Sequence, residues 1–251
     1  MEILSLRELT YRYGLKFALK RVSLTINSGE TVCILGPNGS GKTTLFNLVA
    51  GITIPVSGHV NMFGQNYLEN FAELSPRVMA MPFIHPVSTL YTPYLFWQAM
   101  GAAYGIPYKE VGHRLRRLVP PMNMERAMHQ KYDTLSLGMK RKVMLIAAFL
   151  PDVDIRIMDE PFSGGIDPLA MEVLIGWILE AKGRGETIIF SSQLTEHAKR
   201  LADRILILRN GQVAFLGTPS EMLNRAGVTT MDERPIAQAY VALAEDGPDN
   251  D

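Results

Sequence analysis

The chain has almost no cysteine: Cys33 is the single one in 251 residues. No intrachain disulfide can form, and such usage suits a reducing compartment. Net charge is missing as well. Twenty-five Lys and Arg balance twenty-five Asp and Glu, for a formal charge of +0, so there is no bulk positive field of the kind that holds nucleic acid by neutralising phosphates. No nucleic-acid partner is expected, and the balance is equally unlike that of an acidic disordered chain. Long hydrophobic runs are also absent. The longest uninterrupted apolar stretch, residues 143–150, falls far short of the roughly 20 residues that cross a bilayer. Glu2, Arg7 and Glu8 interrupt the apolar residues of positions 1–10, so no secretion signal is expected there. What is present is 47% hydrophobic and 20% charged residues, enough to bury a sizeable core in a cytoplasmic protein.

Period-two alternation predicts short strands at 3–9 and around Val22, Leu24 and Ile26. Asn27, Ser28, Gly29 and Glu30 form a turn, and 31–35 is a continuous apolar run suited to a buried strand. Further short runs at 78–81, 155–158, 187–190 and 204–208 alternate with segments of helical period, the pattern of an α/β core with a largely parallel sheet. The stretch 84–150 breaks this rhythm and reads as an inserted helical subdomain. One amphipathic segment, 235–243, precedes a polar, acidic end at 245–251 that is expected to fray.

Gly36-Pro37-Asn38-Gly39-Ser40-Gly41-Lys42-Thr43 fits G-x-x-x-x-G-K-[ST], after a predicted buried strand and at the start of a predicted helix. Glycines let backbone N–H groups wrap phosphates, the helix N-terminus adds partial positive charge, and Lys42 supplies a point charge for the β and γ phosphates. Thr43 offers a hydroxyl to Mg²⁺, and Thr44 extends the nucleotide-binding segment. The loop alone says only "nucleotide", because unrelated chemistries share it.

The strand at 155–158 ends in Asp159-Glu160-Pro161. A strand's C-terminal end beside the phosphate loop is where open α/β sheets place ligands. Asp159 is suited to Mg²⁺, directly or through water, and Glu160 to accepting a proton from an attacking water. Arg156, inside the same strand, faces either a polar neighbour or a sheet edge.

Leu135-Ser136-Leu137-Gly138-Met139-Lys140-Arg141 lies between these sites, before a helical run. With it, residues 1–225 resemble the ATP-binding subunit of an ABC transporter, whose L-S-G-G-Q signature precedes a helix just upstream of the second carboxylate site. The resemblance implies a single ABC-type ATPase domain over 1–225 with a C-terminal extension at 226–251. It also implies a P-loop NTPase core with a largely parallel sheet, an antiparallel β part at the N-terminus and the inserted helices. Further implied are ATP and Mg²⁺ as cofactors, a transmembrane permease subunit and a second ATPase subunit as partners, and a place on the cytoplasmic face of the membrane. Ser136 and Gly138 would then grip the γ-phosphate of ATP held by the opposite subunit. Tyr13 matches the aromatic residue that stacks on adenine, the alternatives being a core aromatic or Tyr11 in that role. Ser163-Gly164-Gly165-Ile166-Asp167 resembles the D-loop with one glycine more than usual, Asp167 being its acid.

Departures from the family pattern are informative. Phe83 stands where a glutamine usually senses Mg²⁺ and γ-phosphate, and Gln193 where a switch histidine is usual; Gln193 can still donate a neutral hydrogen bond. Leu137 and Met139 replace glycine and glutamine in the signature, whose Gly138-Met139-Lys140-Arg141 form is more like that of exporters than of nutrient importers. These departures imply hydrolysis slower than in a complete family member, or a weakly active partner of an asymmetric pair. Phe83, Tyr91, Tyr94, Phe96, Trp97, Tyr104 and Tyr108 crowd one region, mostly as core packing and in part as a groove for a membrane subunit. Helical spacing puts some residues of each basic cluster, 113–117 and 140–142, on a solvated face, and His59, His85, His129 and His197 show no metal-ligand spacing.

Overall fold

The computed structural model describes residues 1–81, 91–229 and 234–245. Phe83, singled out above, lies outside them. The chain opens with β1 (Glu2–Tyr13), β2 (Lys16–Asn27), β3 (Thr31–Leu35), α1 (Lys42–Val49), β4 (Ser57–Met62), β5 (Gln65–Asn66), α2 (Phe71–Leu74) and β6 (Val78–Met81). Helices α3 (Pro93–Ala103), α4 (Tyr108–Leu118) and α5 (Leu137–Ala148) follow, then β7 (Ile155–Met158), α6 (Pro168–Gly183), β8 (Thr187–Ser192), α7 (Thr195–Leu201), β9 (Arg204–Arg209), β10 (Gln212–Gly217), α8 (Pro219–Ala226) and α9 (Pro235–Glu245).

Two sheets result. A six-stranded sheet has the order β10-β9-β3-β8-β7-β6, parallel except for the β10 hairpin edge. A four-stranded antiparallel sheet, β2-β1-β4-β5, covers one of its faces. Alternation along the central strands sorts side chains between two cores. Val32 and Ile34 of β3 pack with Leu4, Ile26, Leu45 and Leu48 under the antiparallel sheet, whereas Cys33 and Leu35 face α5, α6 and the segment holding α3 and α4.

The antiparallel part is longer than the alternation predicts. β1 runs past residue 9 because its register with β2 shifts around Glu8, which has φ +50, and pairing resumes through Tyr13↔Lys16. That bulge puts adjacent polar residues in mid-strand and hides the period. Strand β4, with alternate burial and a mostly polar outer face, gave no period-two signal strong enough to be predicted.

Arg156 lies on no edge: β7 sits between β6 and β8, and the side chain is fully buried. Its guanidinium pairs with Glu186 at 2.7 Å, donates to the Ala148 and Pro151 carbonyls, and lies 4.5 Å over the Phe149 ring. In the second basic cluster Lys140 is half-buried, whereas Arg141 and Lys142 are buried among the packed elements. Of the aromatic group, Trp97 is fully buried with its Nε1 donating to the Val143 carbonyl at 2.9 Å, and Tyr104 Oη donates to the Val78 carbonyl. Tyr91 and Tyr108 are exposed. Helix α9 seats Ile236 and Ala239 in the core beside α7 and α8. Among the described residues no helix is long and apolar enough to cross a membrane.

Candidate functional site

The phosphate loop leaves the buried end of β3 and is pressed between β9 and β2. A Cβ on Gly36 would meet the Leu208 carbonyl at 2.4 Å, and one on Gly41, at φ +106, the Ala18 carbonyl at 2.5 Å. Only glycine fits either place. Lys42 begins α1 nearly out of solvent, its Nζ donating to the carbonyls of Gly36 (2.7 Å) and Pro37 (3.2 Å) and lying 4.0 Å from Glu160 Oε1. An ammonium held by neutral carbonyls at a helix N-terminus is an electropositive nest without a full counter-charge, which an anion completes.

The two acids follow β7 directly. Asp159 is buried; its Oδ1 accepts from Ser191 Oγ at 2.6 Å, and its Oδ2 has no hydrogen-bond partner. Ser191 Oγ in turn accepts from the Glu160 N–H at 2.7 Å. Burial pushes the Glu160 carboxyl above its ordinary pKa and the Asp159 charge adds to this, while Lys42 and hydrogen bonds from Gln193 oppose it. A carboxylate raised in this way is a better base near neutral pH. Its Oε1 is buried without a hydrogen-bond partner. Orphaned oxygens on both acids, beside an ammonium, are the donor set that a cation-bound phosphate would satisfy.

Tyr13, Lys16, Phe17 and Ala18 form one wall of the cleft, facing Asn38, Gly39, Gly41, Lys42, Thr43 and Thr44, with Glu160 and Gln193 at its end. Its volume of about 380 Å³ falls toward the lower end of the range for small-molecule sites. Tyr13 is 59% exposed, its Oη 3.4 Å from Thr44 Oγ1. Tyr11 packs toward the core and meets Tyr13 edge-on at 5.0 Å. Tyr13 is thus the more exposed of the two rings and not a core aromatic. Gln193 Nε2 donates to Asn38 Oδ1 at 3.3 Å, tying the end of β8 to the phosphate loop.

Ser136, Gly138 and Asp167 do not line this cleft. Ser136 caps α5 by accepting from the Met139 N–H. Gly138 packs on the D-loop, where an added Cβ would come within 2.6 Å of the Gly165 carbonyl. Asp167 caps α6 through the Ala170 N–H and pairs with Lys142 at 2.6 Å, which holds its carboxyl below the ordinary range. Sequence reasoning missed Ser191, the hydroxyl that braces both acids, and Lys16, Phe17 and Ala18 in the wall. Ser191 carries no motif of its own; only the parallel neighbour relation of β7 and β8 brings it to Asp159.

Residues 19–163 match the family model described as ABC transporter. The ABC-type transporter ATP-binding protein EcsA of Bacillus subtilis (strain 168) is 32% identical over 249 residues, 98% of each chain. Nod factor export ATP-binding protein I of Ralstonia nicotianae is 28% identical over 88% of this chain and 68% of that protein. A solved structure described as the ATP binding subunit of an ABC transporter superposes with a TM-score of 0.88 at 29% identity, covering 96% of this chain and 99% of that one. The fold agrees with these likenesses, and the chain belongs to the ABC transporter family as an ATP-binding subunit of the ATPase class.

Proposed function

We propose that this chain hydrolyses ATP in the cleft between Tyr13 and Lys42, with a second ATPase subunit completing the site, and so drives a separate membrane permease in export. The observation that carries the reading is the approach of Glu160 Oε1 to Lys42 Nζ, 4.0 Å apart, with unpartnered oxygens on both acids. Tyr13 stacks on the base, the N–H groups of the Gly36-to-Thr43 loop wrap the phosphates, and Lys42 exchanges its carbonyl partners for phosphate oxygens. Thr43 and Asp159 would hold Mg²⁺, which when bound spreads the phosphate charge. Glu160 takes the proton of the attacking water, and Gln193 donates a neutral hydrogen bond where a histidine is usual in the family.

That Ser136 and Asp167 lie outside the cleft supports the two-subunit reading, since a facing copy is needed to bring the signature to the nucleotide. Exposed Tyr91, Leu95 and Tyr108 support a docking face for the permease beside α3 and α4. Shifting such a partner from 1:99 to 99:1 takes about 5.5 kcal/mol of differential binding, which closure of the two subunits on ATP supplies in part. Export rests on the Gly138-Met139-Lys140-Arg141 signature and on relatives named for Nod factor export, beside which stands one named for spermidine/putrescine import.

The test is turnover of the purified chain against Glu160→Gln, with ATP binding measured in parallel. Binding persists and turnover falls by about 10² or more; equal turnover would refute the assignment. The acidic limb of the wild-type rate lies above the ordinary glutamate value of about 4.3, because Glu160 acts only when ionised and burial raises its pKa. Gln193→His raises turnover if the neutral side chain is what slows the site; no change would show that it is not.

A further inference from the structure

The turn that presents Glu160 is held in a conformation that needs support. Glu160 has φ +49, a left-handed backbone on a residue with a Cβ, and such conformations persist where neighbours over-determine them. Two groups grip the peptide units on either side. Ser191 Oγ, from β8, accepts from the Glu160 N–H at 2.7 Å. Arg141, from α5, donates through Nη2 to the carbonyls of Asp159, at 2.9 Å, and of Glu160.

Arg141 is placed where solvent cannot take over these bonds. The residue is 3% exposed. Its aliphatic stem lies against Gly164, where an added Cβ would sit 3.5 Å away, so the glycine-rich loop after Glu160 wraps the arginine. Dehydration pushes the guanidinium down to about 10 even though Asp159 and Glu160 hold it up. Nη2 alone, with its two N–H bonds, reaches both successive carbonyls, held there by a planar guanidinium whose shape a lysine ammonium does not reproduce.

We propose that Arg141 is a positioning residue for hydrolysis: by clamping the carbonyls of Asp159 and Glu160 it fixes the left-handed turn that aims the Glu160 carboxylate into the phosphate cleft. The inference rests on Glu160 as the base. Arg141 does not line the phosphate cleft, so it acts on the rate of the chemical step and not on ATP affinity. Because the same helix begins at Ser136, the element that carries the signature also sets the geometry of this chain's own base.

The test uses the full chain as wild type, Arg141→Gln, Arg141→Lys, Glu160→Gln and the Arg141→Gln/Glu160→Gln double variant. Single-turnover hydrolysis of radiolabelled ATP with Mg²⁺ gives rates down to very slow ones, and a fluorescent ATP analogue gives affinity. Arg141→Gln slows hydrolysis about 10- to 100-fold, the effect of losing a charge-assisted hydrogen bond, with affinity within about threefold of wild type. Arg141→Lys restores part of the rate. In the double variant Arg141→Gln adds no loss to that of Glu160→Gln, because both act through one group. Additive losses, or weaker ATP binding with an unchanged rate, would overturn the proposal. If Arg141→Gln does not fold, Arg141→Lys carries the same rate-against-affinity test. A normal Glu160→Gln defect with normal rates for both Arg141 variants would overturn this proposal alone. Equal rates for wild type and Glu160→Gln would overturn the base assignment and the proposal together.

Discussion

Removing the carboxylate of Glu186 should destabilise the strand that presents Asp159. In Glu186→Leu the Arg156 guanidinium stays in β7 without its counter-ion, at a site where the two side chains are 1% and 7% exposed and no solvent can take its place. Breaking a buried pair by deleting one partner costs about 3–5 kcal/mol. The Ala148 and Pro151 carbonyls still accept from Arg156, which argues for the lower end, about 3 kcal/mol. Arg184 also loses a partner, but at 40% exposure its pair contributes at most about 1 kcal/mol. For a domain of this size a change of 1 kcal/mol moves the melting temperature by about 2–4 °C, so a drop of about 6–12 °C is expected. Urea denaturation followed by tryptophan fluorescence measures this directly: Trp97 is buried in the core and Trp177 sits 5.3 Å from Phe149, the ring under Arg156. Removing both charges, in Arg156→Met/Glu186→Leu, should restore about half of the loss or more, because an uncompensated charge is worse than an apolar pair. A single variant within about 1 kcal/mol of wild type, or a double variant less stable than the single, would refute the reasoning.

Other outcomes follow from the same geometry. Tyr13→Ala should weaken ATP binding by about 1–3 kcal/mol, the range for base stacking on an aromatic ring, while Tyr13→Phe keeps it; calorimetric titration decides. Gly138→Ala reverses the usual gain of alanine over glycine in a helix, about 1 kcal/mol, because the methyl meets the Gly165 carbonyl at 2.6 Å; a loss of about 1–3 kcal/mol is expected, and a higher melting temperature would contradict it. His197 stacks on Phe162 at 3.8 Å, and burial holds its imidazole below 6.5. The folded state therefore resists charging it, the associated stability is present above about 6.5, and it is lost as pH falls through the folded-state value. Melting temperatures between pH 7 and 5 should fall less for His197→Gln than for wild type.

The phosphate loop, the acid pair and the alternating α/β order were readable because each rests on local rules: glycines where backbone must approach closely, a continuous apolar run for a strand buried on both faces, acids at a strand's end. Boundaries in the N-terminal sheet were not, since the shift at Glu8 breaks the period on which prediction depends. Which members of the basic cluster of α5 are buried was hidden for a related reason. Helical spacing says which residues share a face, but not that the face carrying Arg141 and Lys142 is turned onto the D-loop and the core. Arg156 shows the same limit, because its partner Glu186 lies just before β8, far along the chain from β7.

The sequence by itself determined the chemistry available: an ammonium, a hydroxyl and two carboxylates in motifs whose spacing follows from the chain's own turns. The tertiary structure decided which of these groups meet and which are held apart. Parallel pairing of β7 with β8 delivers Ser191 to the acids, the β1–β2 hairpin carries Tyr13 to the cleft, and the packing of α5 sets Arg141 on the carbonyls of Asp159 and Glu160. Ser136 and Asp167 stay outside the same cleft as helix caps. The physical reason is that a motif is fixed by neighbours along the chain, whereas contacts between groups far apart in sequence depend on strand order and helix packing, which a linear pattern does not carry.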